Sequence, residues 1–147
     1  MLESANNAAT AIATNLGSLV KKKREGKYFS CFDIPNENKE ENIDVFVELM
    51  NSYANELGLT ASVFVNVHGM RKNKSSARDI SVLTSECYKI PLFSKIVATK
   101  NHTLRAKYIS NDGDVKIREI ALINTNKLLW LDSGCIGGKT GCNNVGG

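Results

Sequence analysis

Between residues 5 and 20, Ala5, Ala8, Ala9, Ile12, Ala13, Leu16, Leu19 and Val20 recur at three- and four-residue spacing, with Asn6, Asn7, Thr10, Thr14 and Asn15 between them. That pattern predicts an amphipathic helix. Its apolar stripe is mostly alanine, which buries little area, so the helix needs a partner surface. Lys21, Lys22, Lys23 and Arg24 follow at its negative end, and Gly26 can end it. Residues 28–34 are short and aromatic-rich and run into Pro35, which predicts a strand and a turn. Ile43, Phe46, Val47, Met50, Tyr53, Ala54 and Leu57 then mark a second amphipathic helix over residues 40–57, stopped by Gly58.

Strict alternation follows. Leu59, Ala61, Val63, Val65 and Val67 share one face against Thr60, Ser62, Phe64, Asn66 and His68, which predicts a half-buried strand. A basic loop over 69–78 leads to a weaker strand over 79–90, and 92–99 fits either a helical turn or a strand. Residues 102–110 and 115–124 flank Asn111-Asp112-Gly113-Asp114, a strong hairpin signal. A further turn at Thr125 and Asn126 leads to a third strand over 127–132, and the Gly/Asn-rich remainder reads as a loose tail.

These elements predict one α+β domain. It has an antiparallel β-sheet of about four to six strands ending in a C-terminal meander. One amphipathic helix packs on a face, and the N-terminal Ala-rich helix is docked or exchanged between subunits. The chain divides into an N-terminal helix and basic segment (1–26), an α+β core (27–133) and a C-terminal tail (134–147). Its 147 residues suit a single core. No apolar run exceeds four residues and the N-terminus lacks a signal-peptide pattern, so a soluble, cytoplasmic protein without membrane partners is expected. Cys31, Cys87, Cys135 and Cys142 are too sparse for a disulfide scaffold, although Cys135 and Cys142 could close a small loop.

Charge sharpens the picture. Residues 34–60 hold one base and six acids, whereas 61–111 hold nine bases and two acids. With Asp112-Gly113 as a two-residue turn, Lys107 faces Arg118 and Arg105 faces Ile120, so Arg105, Lys107, Lys116 and Arg118 share one sheet face. Like charges across a ladder repel, so such a face invites an anion. With the loop bases Arg71, Lys72, Lys74 and Arg78 and the cluster Lys21, Lys22, Lys23 and Arg24, it predicts a non-enzymatic nucleic-acid-binding protein that contacts phosphates. The alternative is a protein-interaction or self-assembly module, a homo-oligomer joined through its acidic and basic faces.

Enzymatic chemistry ranks third, with no catalytic residue, cofactor or metal expected. His68 and His102 lack a spaced nucleophile, and Glu40, Glu41, Asp44 and Glu48 suit a solvated helix face near its N-terminus. The segment from Ser133 to Thr140 ends in Gly-Lys-Thr and resembles a phosphate-binding P-loop. It has Ser133 where that motif needs glycine, and no room for the helix that should follow.

Overall fold

The computed structural model describes residues 2–27, 38–70 and 72–141, and the strand expected over 28–34 lies outside them. The protein is α+β, with an open antiparallel sheet and several helices. The chain forms two compact units, Ala5–Glu86 and Met1–Ser4 with Cys87–Gly147.

In the unit Ala5–Glu86, α1 (Asn6–Arg24) packs on α2 (Lys39–Glu56). The small residues of α1 form the seam: Ala13 is fully buried, and Thr14, Gly17 and Ser18 are buried beside it. A Cβ at Gly17 would lie 1.7 Å from the backbone oxygen of Asn42, so glycine is what allows the two backbones to approach. The alanine stripe therefore finds its partner within the chain. The charges follow, with Lys21 Nζ 2.5 Å from Glu41 Oε1 and Arg24 Nη1 3.1 Å from Glu48 Oε2. At the end of α2, Leu59 N–H bonds Ala54 O at 2.9 Å and Gly58 N–H bonds Asn55 O at 3.0 Å, with Gly58 at φ 69°, a Schellman stop.

The alternation over 59–68 does not form a strand. Only an isolated bridge, Val63 with Lys74, is made there. Side-chain amides take the backbone groups that a neighbouring strand would have used. Asn51 Nδ2 donates to Phe64 O at 2.7 Å and its Oδ1 accepts Phe64 N–H at 2.9 Å, while Asn73 Oδ1 accepts Val65 N–H and Asn66 N–H at 2.8 and 3.0 Å. Val63 and Val65, expected in a core, are about half exposed.

The expected strand 79–90 is instead helix α3 (Ala77–Tyr88). Ser76 caps it, its Oγ accepting Asp79 N–H at 3.1 Å, a serine-to-acid spacing that marks helix starts. The buried Asp79 carboxylate reaches back to loop 59–62, accepting Ser62 Oγ–H at 2.8 Å and Ala61 N–H at 2.9 Å. These bonds, Ser62 foremost, hold its pKa below the ordinary aspartate value despite the opposing effect of burial.

In the other unit, the ambiguous segment 92–99 is helix α4 (Pro91–Ala98), which starts on proline and buries Val97. Strands β1 (Asn101–Ile109) and β2 (Val115–Ile123) form the expected hairpin. Its register differs by one residue. Ser110 N–H bonds Asp114 O at 2.8 Å and Gly113, at φ 84°, bonds Ser110 O at 2.9 Å, so three residues turn the chain instead of two. Lys107 now faces Ile117 and Arg118 faces Ala106, and a one-residue slip moves a whole strand to the other face. The third strand of the meander is helix α5 (Leu128–Leu131), so among the described residues the sheet is two-stranded.

Two outcomes follow for the unit Ala5–Glu86. In an ordinary helix Gly→Ala gains about 1 kcal/mol, but Gly17→Ala is expected to lose about 1–3 kcal/mol in a denaturant melt, because α1 must move off α2. A gain would refute the seam.

For Asp79, a lowered folded-state pKa means stability that is present above about pH 4 and lost as pH falls through the folded value. Asp79→Asn should lower Tm by several degrees at pH 7, and the gap to wild type should shrink in acid. A gap independent of pH would show that the carboxylate charge contributes nothing.

Candidate active site

Asn124, Thr125 and Asn126 follow β2 and form the node of the unit that holds them. Asn124 is buried, and its Nδ2 donates to Val97 O and Thr99 O at 3.2 and 2.9 Å at the end of α4. Its Oδ1 accepts Asn126 N–H at 2.9 Å. Asn126, also buried, accepts Leu128 N–H at 3.2 Å and so starts α5, while its Nδ2 points to Cys135 Sγ at 3.8 Å. Between them Thr125 N–H bonds Leu2 O at 3.1 Å, and Glu3 Oε1 accepts Ile123 N–H at 3.4 Å. The segment just before Ser4 is thus stitched to the end of β2.

Residues 134–141, expected as part of a loose tail, return to the same node. Gly137 lies against α4 at φ 105°, and a Cβ there would stand 2.4 Å from Val97 O. Only glycine fits that approach. Two residues on, Lys139 Nζ reaches Ser4 Oγ at 2.6 Å and also bonds the carbonyl of Thr140, while Thr140 Oγ1 lies 2.5 Å from Thr125 Oγ1. Ser4 has φ 55°, a left-handed conformation that costs a non-glycine residue energy and that recurs at functional sites. An exposed ammonium, two hydroxyls and a strained serine are gathered in one place.

The residues singled out from charge are not. Arg105 Nε bonds Glu119 Oε1 at 2.7 Å and Lys116 Nζ bonds Asp112 Oδ2 at 3.3 Å. The register puts Arg105 and Lys107 on one face of the hairpin and Lys116 and Arg118 on the other. Lys21 and Arg24 are paired with α2, Lys22 and Lys23 lie in the last turn of α1, Lys74 bridges Val63 through its backbone, Lys72 sits in a loop at φ 55°, and Arg78 lies in α3. Arg71, Cys31 and Cys142 fall outside the described residues. His68 is in a loop, where its Nδ1 accepts Met70 N–H at 3.3 Å, and His102 is exposed on β1.

Ser4-Ala5-Asn6 and Lys139-Thr140-Gly141 were legible as text. They correspond to two of the three signatures of the serine acyl-transfer class that includes class A β-lactamases and penicillin-binding proteins: K-T-G in full, and S-D-N at its first and third positions.

Comparison with known proteins agrees. The family model for D-alanyl-D-alanine carboxypeptidase matches residues 38–147, and the chain belongs to that family. It is 35% identical over 98 residues to a D-alanyl-D-alanine carboxypeptidase of Streptomyces sp. (strain K15), covering 65% of this chain and 33% of that protein. It is 34% identical over 98 residues to the D-alanyl-D-alanine carboxypeptidase DacF of Bacillus subtilis (strain 168), covering 65% and 23%. A solved mutant of the Streptomyces K15 DD-transpeptidase superposes with TM-score 0.75 at 30% identity over 98% of this chain and 48% of that one. The chain thus spans a third or less of these curated relatives and about half of the solved one.

These findings overturn the non-enzymatic nucleic-acid-binding reading and its self-assembly alternative, since the family is one of peptidases. Nucleic acid falls as a partner on the same finding. The expectation of cytoplasmic residence falls on the same finding, the chain's membership of the D-alanyl-D-alanine carboxypeptidase family. Among the described residues, no helix is long and apolar enough to cross a membrane. Four of the bases are held in ion pairs, three of them, Lys21, Arg24 and Arg105, with acids 14 or more residues away in sequence.

Gly137→Ala should detach residues 137–141 from α4 and break the Lys139 to Ser4 contact. The check is loss of nuclear Overhauser contacts between those two side chains with little change in the far-ultraviolet spectrum. Retained contacts would show that the glycine is dispensable.

Proposed function

We propose that this chain supplies the carboxylate-binding and proton-relay side of a serine peptidase site acting on peptides that end in D-alanyl-D-alanine. The observation that carries the reading is the 2.6 Å contact of Lys139 Nζ with Ser4 Oγ. Such a substrate ends in a free carboxylate, and an ammonium beside a hydroxyl donor is a fitting receptor for it. Lys139 provides the cation and Thr140 the hydroxyl. When the peptide bond breaks, the departing D-alanine nitrogen needs a proton. Ser4 Oγ can give one outward and regain one from Lys139, because a hydroxyl both donates and accepts.

Acyl transfer also needs a nucleophilic serine, which in this class lies in an S-x-x-K element. The sequence spells that pattern once, at Ser18-Leu19-Val20-Lys21. There Ser18 is buried in the α1 seam and Lys21 is paired with Glu41, so this serine does not take that role. The described residues therefore contribute recognition and proton transfer at this site, and no attacking serine is assigned among them.

The test is calorimetric titration of the chain with a short peptide ending in D-alanyl-D-alanine, as free acid and as C-terminal amide. A charge-assisted hydrogen bond is worth about 1.5–3 kcal/mol, so the acid should bind roughly 10- to 150-fold more tightly than the amide. Lys139→Ala should abolish that preference. Equal affinity for both forms would refute the reading.

A further inference from the structure

We infer that Thr125, which lies outside both signature segments, is a positioning residue that sets the hydroxyl of Thr140 for a ligand carboxylate; this rests on the carboxylate-binding reading above. Thr125 is bonded to both sides of the site. Its N–H and its Oγ1 reach Leu2 O at 3.1 and 3.3 Å, two residues before Ser4, and the same Oγ1 lies 2.5 Å from Thr140 Oγ1. Lys139, next to Thr140, closes the circuit on Ser4. Buried Asn124 and Asn126 flank Thr125 and are themselves fixed by four side-chain bonds to backbone groups, so the threonine stands on a rigid loop.

The circuit has two proton arrangements, because a threonine hydroxyl carries one proton and two lone pairs. In the first, Thr125 donates to Leu2 O and Thr140 donates to Thr125, so Thr140 shows only lone pairs outward and repels an anion. In the second, Thr125 donates to Thr140, whose own proton then points to the ligand. Leu2 O keeps the Thr125 N–H bond in both, so no buried acceptor is stranded by the change. A carboxylate selects the second arrangement, and Thr125 holds the Thr140 oxygen in place throughout.

Thr125→Val keeps the shape and removes the hydroxyl, whereas Thr125→Ser keeps the hydroxyl. The same two peptides are titrated into both variants. The valine variant should weaken binding of the free acid by roughly 3- to 10-fold, the size of one neutral hydrogen bond, and leave the amide unchanged. Serine should restore the acid to within about twofold. Where the wild type prefers the acid, unchanged acid binding in the valine variant, or equal losses with valine and serine, would overturn the inference.

The Thr140 Hα–Hβ coupling measured by NMR without ligand separates the two proposals. A single rotamer in the wild type and the serine variant, with averaging in the valine variant, supports the role of Thr125 even if acid and amide bind alike and the carboxylate reading fails. A coupling unchanged by valine overturns it.

Discussion

Lys139 donates to Ser4 across 135 positions of sequence, and the local structure of its compact unit is arranged so that this contact can form. The lysine belongs to a glycine-rich segment without regular structure, and the serine sits just before a helix in a left-handed conformation. Neither has a secondary-structure element to place it. Placement comes from polar groups at the ends of elements: the closing turn of α4, the loop after β2 and the backbone of residues 2–4. Buried amides from Asn124 and Asn126 supply the rigidity, since a buried polar group must keep its partners or lose the cost of its desolvation. Gly137 supplies the closeness.

The unit Ala5–Glu86 uses the same economy. Its helix pair closes through Ala13, Gly17 and Ser18 rather than through large apolar side chains, so contact depends on backbone proximity. Loop 59–74 is held by Asn51, Asn73 and Asp79, each bonding backbone groups left without a ladder. In both units asparagine and aspartate do work that longer strands would otherwise do. Substitutions that look conservative at these polar positions should therefore cost more than many changes at the half-exposed valines.

Ionic pairing shows how charge counted along a sequence misleads. The acid-rich stretch and the bases that precede it meet as Lys21 with Glu41 and Arg24 with Glu48, and Arg105 meets Glu119 across the hairpin. These pairs are exposed and individually weak. They neutralise part of the basic charge, whereas Lys139 directs its hydrogen bonds to a serine hydroxyl and a backbone carbonyl.

The sequence by itself determined the helices α1 and α2, the glycine stop at Gly58, the existence of the hairpin and the α+β class, because each is written in local periodicity and turn chemistry. Local pattern could not decide the hairpin register, since whether Asn111 joins the turn is settled by a backbone hydrogen bond, and one residue reverses each face. It could not decide that residues 59–68 avoid a strand, since Asn51 and Asn73 come from elsewhere in the chain to occupy their backbone groups. Nor could it join Ser4 to Lys139, two short signatures at opposite ends of the chain. Only tertiary structure brings such groups within hydrogen-bonding distance, where a serine and a lysine that mean little apart become a site able to hold an anion and move a proton.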